Sequence, residues 1–267
     1  MATTAWADGY RTLYHWQPFD EERLRPLIEH NSLYCSSPRD FNDPWDCKPF
    51  FNTDILNDPR ERSVQTAWAV DLCRRRTQMS GVDIATMIFS LEHDVQKATE
   101  IIHNLSNELT DTIAQKHRVY CLGVDIQNQL MWSHYADKHR GICLEYDLSN
   151  EVMCVAQKCE YTSTFPLTRV YEDIEDVGLQ MLLTKSDAWT YENEYRLITT
   201  ESGFASGEDL LVSDKGFLKL PDGALKAIIV GCEGDLENIK HFAHAINPHL
   251  VVKQALRVRN KYELQIP

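Results

Sequence analysis

The densest mixture of chemically useful side chains is Met131-Trp132-Ser133-His134-Tyr135-Ala136, followed by Asp137-Lys138-His139-Arg140-Gly141. Trp, Ser, His and Tyr within a few positions combine a stacking surface with hydrogen-bonding groups. Such a set suits a ribose or a flat heterocycle, and equally an aromatic helix packed on a sheet. His134 and His139 fall off a common helix face, so this is not the two-histidine zinc helix. Gly141 marks the helix stop and the start of a strand. Tyr191-Glu192-Asn193-Glu194-Tyr195-Arg196 is the second constellation. On a strand, Glu192, Glu194 and Arg196 point to one face. Two carboxylates there repel, and one pKa rises unless Arg196 lies between them. A carboxylate facing an electron-poor sugar carbon stabilises an oxocarbenium-like centre, as in glycosidases. The bland alternative is an edge strand carrying ordinary solvated charges.

His15, between Tyr14 and Trp16, is either a packed core histidine or a ligand contact. His241 and His244 lie three apart without a carboxylate or cysteine at a telling spacing, so no metal is expected. The phosphate-binding loops GxxxxGK[ST] and GxGxxG are absent, as is the GxSxG elbow of serine hydrolases. Gly231-Cys232-Glu233-Gly234 opens a helix after a strand, but Glu233 and Asp235 disfavour phosphate there.

The acidic excess, 40 Asp and Glu against 27 Lys and Arg, gives a net charge of −13 and argues against a global nucleic-acid or membrane footprint. Arg74, Arg75 and Arg76 form the one dense basic cluster. No stretch approaches the ~18 apolar residues of a membrane helix. Met1 to Tyr10 has neither a basic nor an apolar leader region, so a cytoplasmic protein is expected. The eight cysteines form no CxxC pair. Several, such as Cys121 and Cys143, sit in apolar strand-like runs and read as reduced core thiols.

The elements that must position these residues form an α+β pattern, read as a single mixed-sheet domain over 1–267 with a helical insertion at 55–117. Strands are expected at 11–16, 32–35, 118–124, 141–146, 194–200, 225–230, 250–258 and 261–265. A further strand within 152–161 is expected to pair beside 141–146. Helices are expected at 20–30, with Pro26 limiting its start, and at 128–138, 173–189 and 236–246. The 173–189 helix sets Ile174, Val177, Met181 and Leu182 on one side. Within the insertion, Ile84, Ile88, Leu91, Val95, Ala98, Ile102, Leu105 and Leu109 alternate steps of four and three, with Asp83 as N-cap. That stripe is either a homodimer contact through 84–109 or a hairpin closed against 64–73 of the same chain.

Taken together, these segments resemble the DUF2971 family of uncharacterised bacterial proteins. The matching pieces are Leu13 to Trp16, Leu33 to Pro38, Phe41 to Asp46, Met131 to Ala136, His139 to Tyr146, Trp189, Tyr191 to Arg196, and Lys261 to Leu264. A weaker likeness is to the ADP-ribosyltransferase layout: a strand with a His, a helix, a strand with Ser-Ser, and a late Glu-x-Glu. That likeness implies His15 holding a ribose of NAD, Tyr34 or Ser36 beside the nicotinamide, and Glu194 orienting ribose and target. Two departures stand out: the Met131 to Ala136 helix has no fixed role in that layout, and Arg196 is placed to neutralise Glu194. The function expected on this ground is NAD-dependent ADP-ribosyl transfer, as a toxin or anti-phage effector. Glu194 would be the catalytic carboxylate, assisted by Glu192. His15, Tyr34, Ser36, Asn42, Asp46, Trp132, His134, Tyr135 and Arg196 would bind or frame NAD, and the acceptor would be a macromolecule. The alternative is a dimeric sensor that binds a nucleotide or peptide without turnover.

Overall fold

The computed structural model of the chain describes residues 3–48, 51–76, 80–166 and 174–267. Strand β1 (Thr12–Gln17) opens it and sends Leu13 into one core and Trp16 into another, as alternation on a strand requires. Helix α1 (Glu21–His30) starts under Asp20, whose carboxylate accepts from the amides of Glu22 and Arg23 at 2.9 and 3.3 Å. Pro26 does not limit its start, as expected from the sequence, but lies inside the helix. The cap and the burial of Leu24, Leu27 and Ile28 outweigh the one donor that proline removes. Strand β2 (Ser32–Tyr34) follows, then a turn-rich loop to Lys48.

The expected four-heptad stripe is broken. The insertion folds as α2 (Pro59–Arg76), α3 (Gly81–His93) and α4 (Val95–Lys116). Asp94 adopts an extended backbone between the last two and caps α4 through the Lys97 amide. Ser80, not Asp83, is the N-cap of α3, with Asp83 completing a capping box from the third helical position. Leu91, Ala98 and Ile102 bury against Phe51, Leu56 and Ala69 of the same chain, so these stripe positions close a hairpin on itself. Cys73, Arg75, Arg76, Leu105, Ile174 and Val177 lie outside the described side chains.

The remaining elements are β3 (His117–Leu122), α5 (Gln129–Tyr135), β4 (Ile142–Asp147), β5 (Gln157–Lys158), β6 (Glu160–Thr162) and α6 (Ile174–Leu183). Then come β7 (Thr184–Ser186), β8 (Tyr195–Glu201), β9 (Val212–Ser213), β10 (Phe217–Lys219) and β11 (Leu225–Val230). Helix α7 (Leu236–Ile246), β12 (Val251–Gln254), β13 (Leu256–Arg257) and β14 (Leu264–Gln265) end the chain. Helix α6 stops at Leu183 rather than near Trp189, which frees Lys185 to sit on a strand. The 152–161 segment does not pair beside β4; its strand β5 joins β8.

The fold is α+β, but the single mixed sheet expected is divided. Among the described residues there are two four-stranded sheets, β1-β4-β11-β12 and one built on β3-β8-β5 with β9 beside β8. Three two-stranded pairs complete them: β2 with β10, β6 with β7, and β13 with β14. The large sheets meet where Tyr14 and Gly123 exchange two backbone hydrogen bonds of 2.9 and 2.8 Å. Glycine is required at that seam, because a Cβ on Gly123 would lie 2.9 Å from the Trp16 ring. Leu144 and Ile228 of one sheet, Leu122 and Leu197 of the other, and Leu27 of α1 and Phe242 of α7 share the main core.

Between α5 and β4 the chain turns through Asp137, Lys138 and His139, all left-handed at φ 43°, 56° and 67°. Such a run of non-glycine residues is costly and persists only where its surroundings fix it. Hydrogen bonds from His139 N to Trp132 O (3.1 Å) and from Gly141 N to Ala136 O (2.8 Å) supply part of that restraint. The β11–α7 turn supplies the rest, since Glu233 N donates to His139 O at 3.0 Å. A Cβ on Gly231 would stand 2.1 Å from that same carbonyl oxygen. Gly231→Ala is therefore expected to cost about 1–3 kcal/mol, seen as a fall of about 2–4 °C per kcal/mol in Tm. A Tm unchanged within error would show that the turn is not clamped there.

Candidate functional site

The two sheets diverge from the Tyr14–Gly123 seam, and a cavity of about 580 Å³ opens between them. Strand β1 contributes His15 and Gln17, the end of β2 contributes Tyr34 and the segment after it Ser36, and the loop beyond adds Phe41, Asn42 and Asp46. Helix α5 places Met131, His134 and Tyr135 on the wall, as helix spacing of three and four predicts. Lys185 comes from β7, and Glu192 and Glu194 from the turn entering β8. All the residues expected from the sequence line this cavity except Trp132 and Arg196. Trp132 is on the opposite face of α5, fully buried, with its Nε1 donating to Ile126 O at 2.7 Å. Arg196 lies behind the wall and acts through the groups it holds.

Those groups form a buried ion network. The Arg196 guanidinium grips Asp46 through two bonds, Nη1 to Oδ1 at 3.0 Å and Nη2 to Oδ2 at 2.7 Å. It donates to Glu194 from Nε at 2.8 Å and from Nη2 at 3.2 Å, and to Leu182 O at 2.8 Å. The fork geometry of Arg suits such double pairing. Lys185 Nζ bridges Glu192 at 2.5 Å and Glu194 at 2.8 Å, with Asp46 at 3.7 Å. Tyr135 OH donates to the other Glu192 oxygen at 2.5 Å. The repulsion between the two carboxylates is thus offset by Lys185, which touches both, whereas Arg196 pairs with Glu194 and not with Glu192. The sequence reading missed Lys185, because it sat inside an expected helix.

The environment separates the two glutamates. Burial works to raise the Glu194 carboxyl, but the Arg196 and Lys185 charges outweigh it and hold the group well below the usual carboxylate range. Burial dominates at Glu192 and raises its pKa, against the pull of Lys185. Both Glu194 oxygens are engaged by cations, whereas Glu192 also meets the neutral Tyr135 hydroxyl. Burial, with the Glu192 charge beside it, pushes the Tyr135 phenol up, so it stays a donor.

His15 is tied to the second sheet. Its Nδ1 lies 2.7 Å from Cys121 O, and the ring stacks on Tyr120 at 4.1 Å. A carbonyl only accepts, so Nδ1 carries the proton and Nε2 is left as an acceptor in the neutral ring. Burial lowers its pKa to about 4, against smaller opposing effects of the Cys121 carbonyl, Gln17 and Glu194. Among the described residues no group of three or more His, Cys, Asp or Glu is placed to hold a metal ion. No helix among them is long and apolar enough to cross a membrane.

Two outcomes follow from these charges. Arg196→Met leaves Asp46 and Glu194 buried without their main cation, and is expected to cost about 3–5 kcal/mol in urea unfolding. A loss below about 1 kcal/mol would mean that Lys185 alone satisfies them. His15 titrates near 4 when folded and 6.5 when unfolded, so the unfolded chain takes the proton first. Its contribution is intact above pH 6.5 and is lost as pH falls through 4, by about 3 kcal/mol at pH 4. Wild type should therefore lose that much more stability than His15→Gln between pH 7 and 4. Parallel curves would overturn the neutral, buried assignment.

A family described as "Protein of unknown function (DUF2971)" matches residues 131–197. The matched stretch includes Met131 to Ala136, His139 to Tyr146 and Tyr191 to Arg196, and so most of α5, Lys185 and both glutamates. The pieces around His15, Tyr34 and Asp46 lie outside it. No curated protein and no solved structure matches the chain.

Proposed function

We propose that the cavity binds NAD and that the protein transfers its ADP-ribosyl group to an acceptor. The observation that carries this reading is the charge facing the cavity. Among the described residues, the cations that meet Asp46, Glu192 and Glu194 in the buried network are Lys185 and Arg196, three carboxylates against two cations. That leaves an excess negative charge in a poorly hydrated wall, where it acts strongly on a cation. The pyridinium of NAD and an oxocarbenium-like ribose are such cations. The volume lies within the ~300–1,000 Å³ of small-ligand cavities.

The residues divide the work. His15 Nε2 accepts a ribose hydroxyl. Tyr34 and Tyr135 flank the nicotinamide ring, with Ser36, Asn42 and His134 hydrogen-bonding at its edges. Glu194 stays ionised and, with Arg196, fixes Lys185. Glu192, whose pKa is raised, takes the proton. The bond from the anomeric carbon to nicotinamide breaks and its electron pair goes to the ring nitrogen, giving neutral nicotinamide. The acceptor's lone pair forms the new bond, and its proton passes to Glu192 and then to solvent. This moves the proton-transfer role from Glu194 to the better-placed neighbour.

A second reading, a nucleotide sensor without turnover, draws on the complete pairing of Glu194 by Arg196 and Lys185. Nicotinamide release from NAD, with and without bacterial lysate, separates the two. Glu192→Gln should bind NAD, raise Tm on its addition, and release nicotinamide about 10²–10⁴-fold more slowly. A thermal shift without release by wild type would favour the sensor. Neither shift nor release would overturn the NAD reading.

A further inference from the structure

A second cavity of about 470 Å³ shares the Asn42, Asp46 and Lys185 walls with the first. Its other side carries Trp45, Trp189 and Phe165. Trp45 is 67% exposed, while Asp43 beneath it is only 5% exposed. The Asp43 carboxylate ties down both tryptophans, Trp45 at its backbone and Trp189 at its indole. One oxygen accepts from the Trp45 backbone amide at 2.9 Å, and the other from Trp189 Nε1 at 2.7 Å. Lys185 Nζ stands 5.3 Å above the Trp189 ring. A large aromatic ring held at its backbone, yet left uncovered on a cavity wall, is a stacking surface in want of a flat partner.

We propose that this second cavity binds a nucleobase stacked on Trp45, and that this base is the acceptor in the transfer proposed above. The acceptor role rests on that reading; the binding does not. A two-substrate transfer needs its second substrate beside the first, and the shared Asp46–Lys185 wall provides that adjacency. Base–aromatic stacking is tolerant of base identity and gives substantial affinity. Ser163, Ser186 and Lys48 on the same wall supply hydrogen-bonding groups for a base edge, which a hydrocarbon ring would leave unmet. The chain's net charge of −13 favours a nucleoside-sized ligand over a long polyanion. In the reaction, a base nitrogen's lone pair forms the bond to the anomeric carbon as the nicotinamide bond breaks, and the N–H proton passes to Glu192.

The test is saturation-transfer NMR and calorimetry with adenosine, guanosine, cytidine and uridine, without NAD. At least one should bind, with Trp45→Ala weakening it about 5- to 150-fold and Trp45→Phe restoring part of the loss. Trp45 is exposed, and unchanged circular dichroism would exclude misfolding. Tyr135→Phe, on the other cavity, should leave nucleoside binding unchanged. No binding, binding indifferent to Trp45, or tighter binding of N-acetyltyrosinamide would overturn the nucleobase assignment. Nucleoside binding without nicotinamide release would retain the site and remove only its role as acceptor. Nicotinamide release with no label passing from NAD to the bound nucleoside would overturn that role and leave the NAD reading intact.

Discussion

Everything in the site hangs on one guanidinium. Arg196, fully enclosed, joins the loop at Asp46, 150 residues away in the chain, to the end of α6 through the Leu182 carbonyl and to its near neighbour Glu194 at the mouth of β8. A buried cation is unfavourable unless its donors are met, and here carboxylates and a carbonyl meet them. The network is a poor source of net stability and a strong source of position, because few other arrangements satisfy Arg196. Lys185 depends on it in turn, since the glutamate it bridges is held by Arg196. Asp46 and Lys185, which line both cavities, belong to the same pairs.

Much of the scaffold was legible from local chemistry. The helices that begin after Asp20 and Asn128 were expected at those places, where the structure gives each a side-chain cap, and the apolar run of Ile142 to Tyr146 announced a core strand. The site was legible where a motif was itself dense, as at Met131 to Tyr135 and Glu192 to Arg196. It was illegible where position depended on distant packing. Lys185 looked like another residue of a long helix, and only the end of α6 at Leu183 turns it inward. Trp132 looked like a ligand contact because composition cannot say which face of a short helix meets the core. The two short strands β9 and β10 gave no signal, for they are too brief to show a period.

The division into two sheets shapes the chemistry more than the count of strands does. A single continuous sheet would have buried His15 under its neighbour. Because the backbones of the two sheets bond at Tyr14 and Gly123, beside that edge the ring of His15 reaches across to the Cys121 carbonyl and still borders open space. The polar wall and the acceptor nitrogen therefore come from different sheets. Their separation is set by the seam, and not by any side chain that binds.

The loop that carries Asp46 leads toward the helical segment and also fastens its far end, around the C-terminus of α4. Ser36 pairs with Val119 through backbone hydrogen bonds, Ser37 donates to the Ala114 carbonyl, and Arg39 bonds Asp111 at 2.5 Å. Cys47 packs with Ile113 and Val119 in one apolar cluster. The chain thus leaves the site and re-enters it at neighbouring points, held together by contacts that the distal helices do not make. Loop-closure entropy changes slowly with length, so what lies between those points is free to grow, shrink or be exchanged. The helices between those points are in that sense a separable module: the contacts that hold the cleft lie on the two posts and not on the chain that joins them.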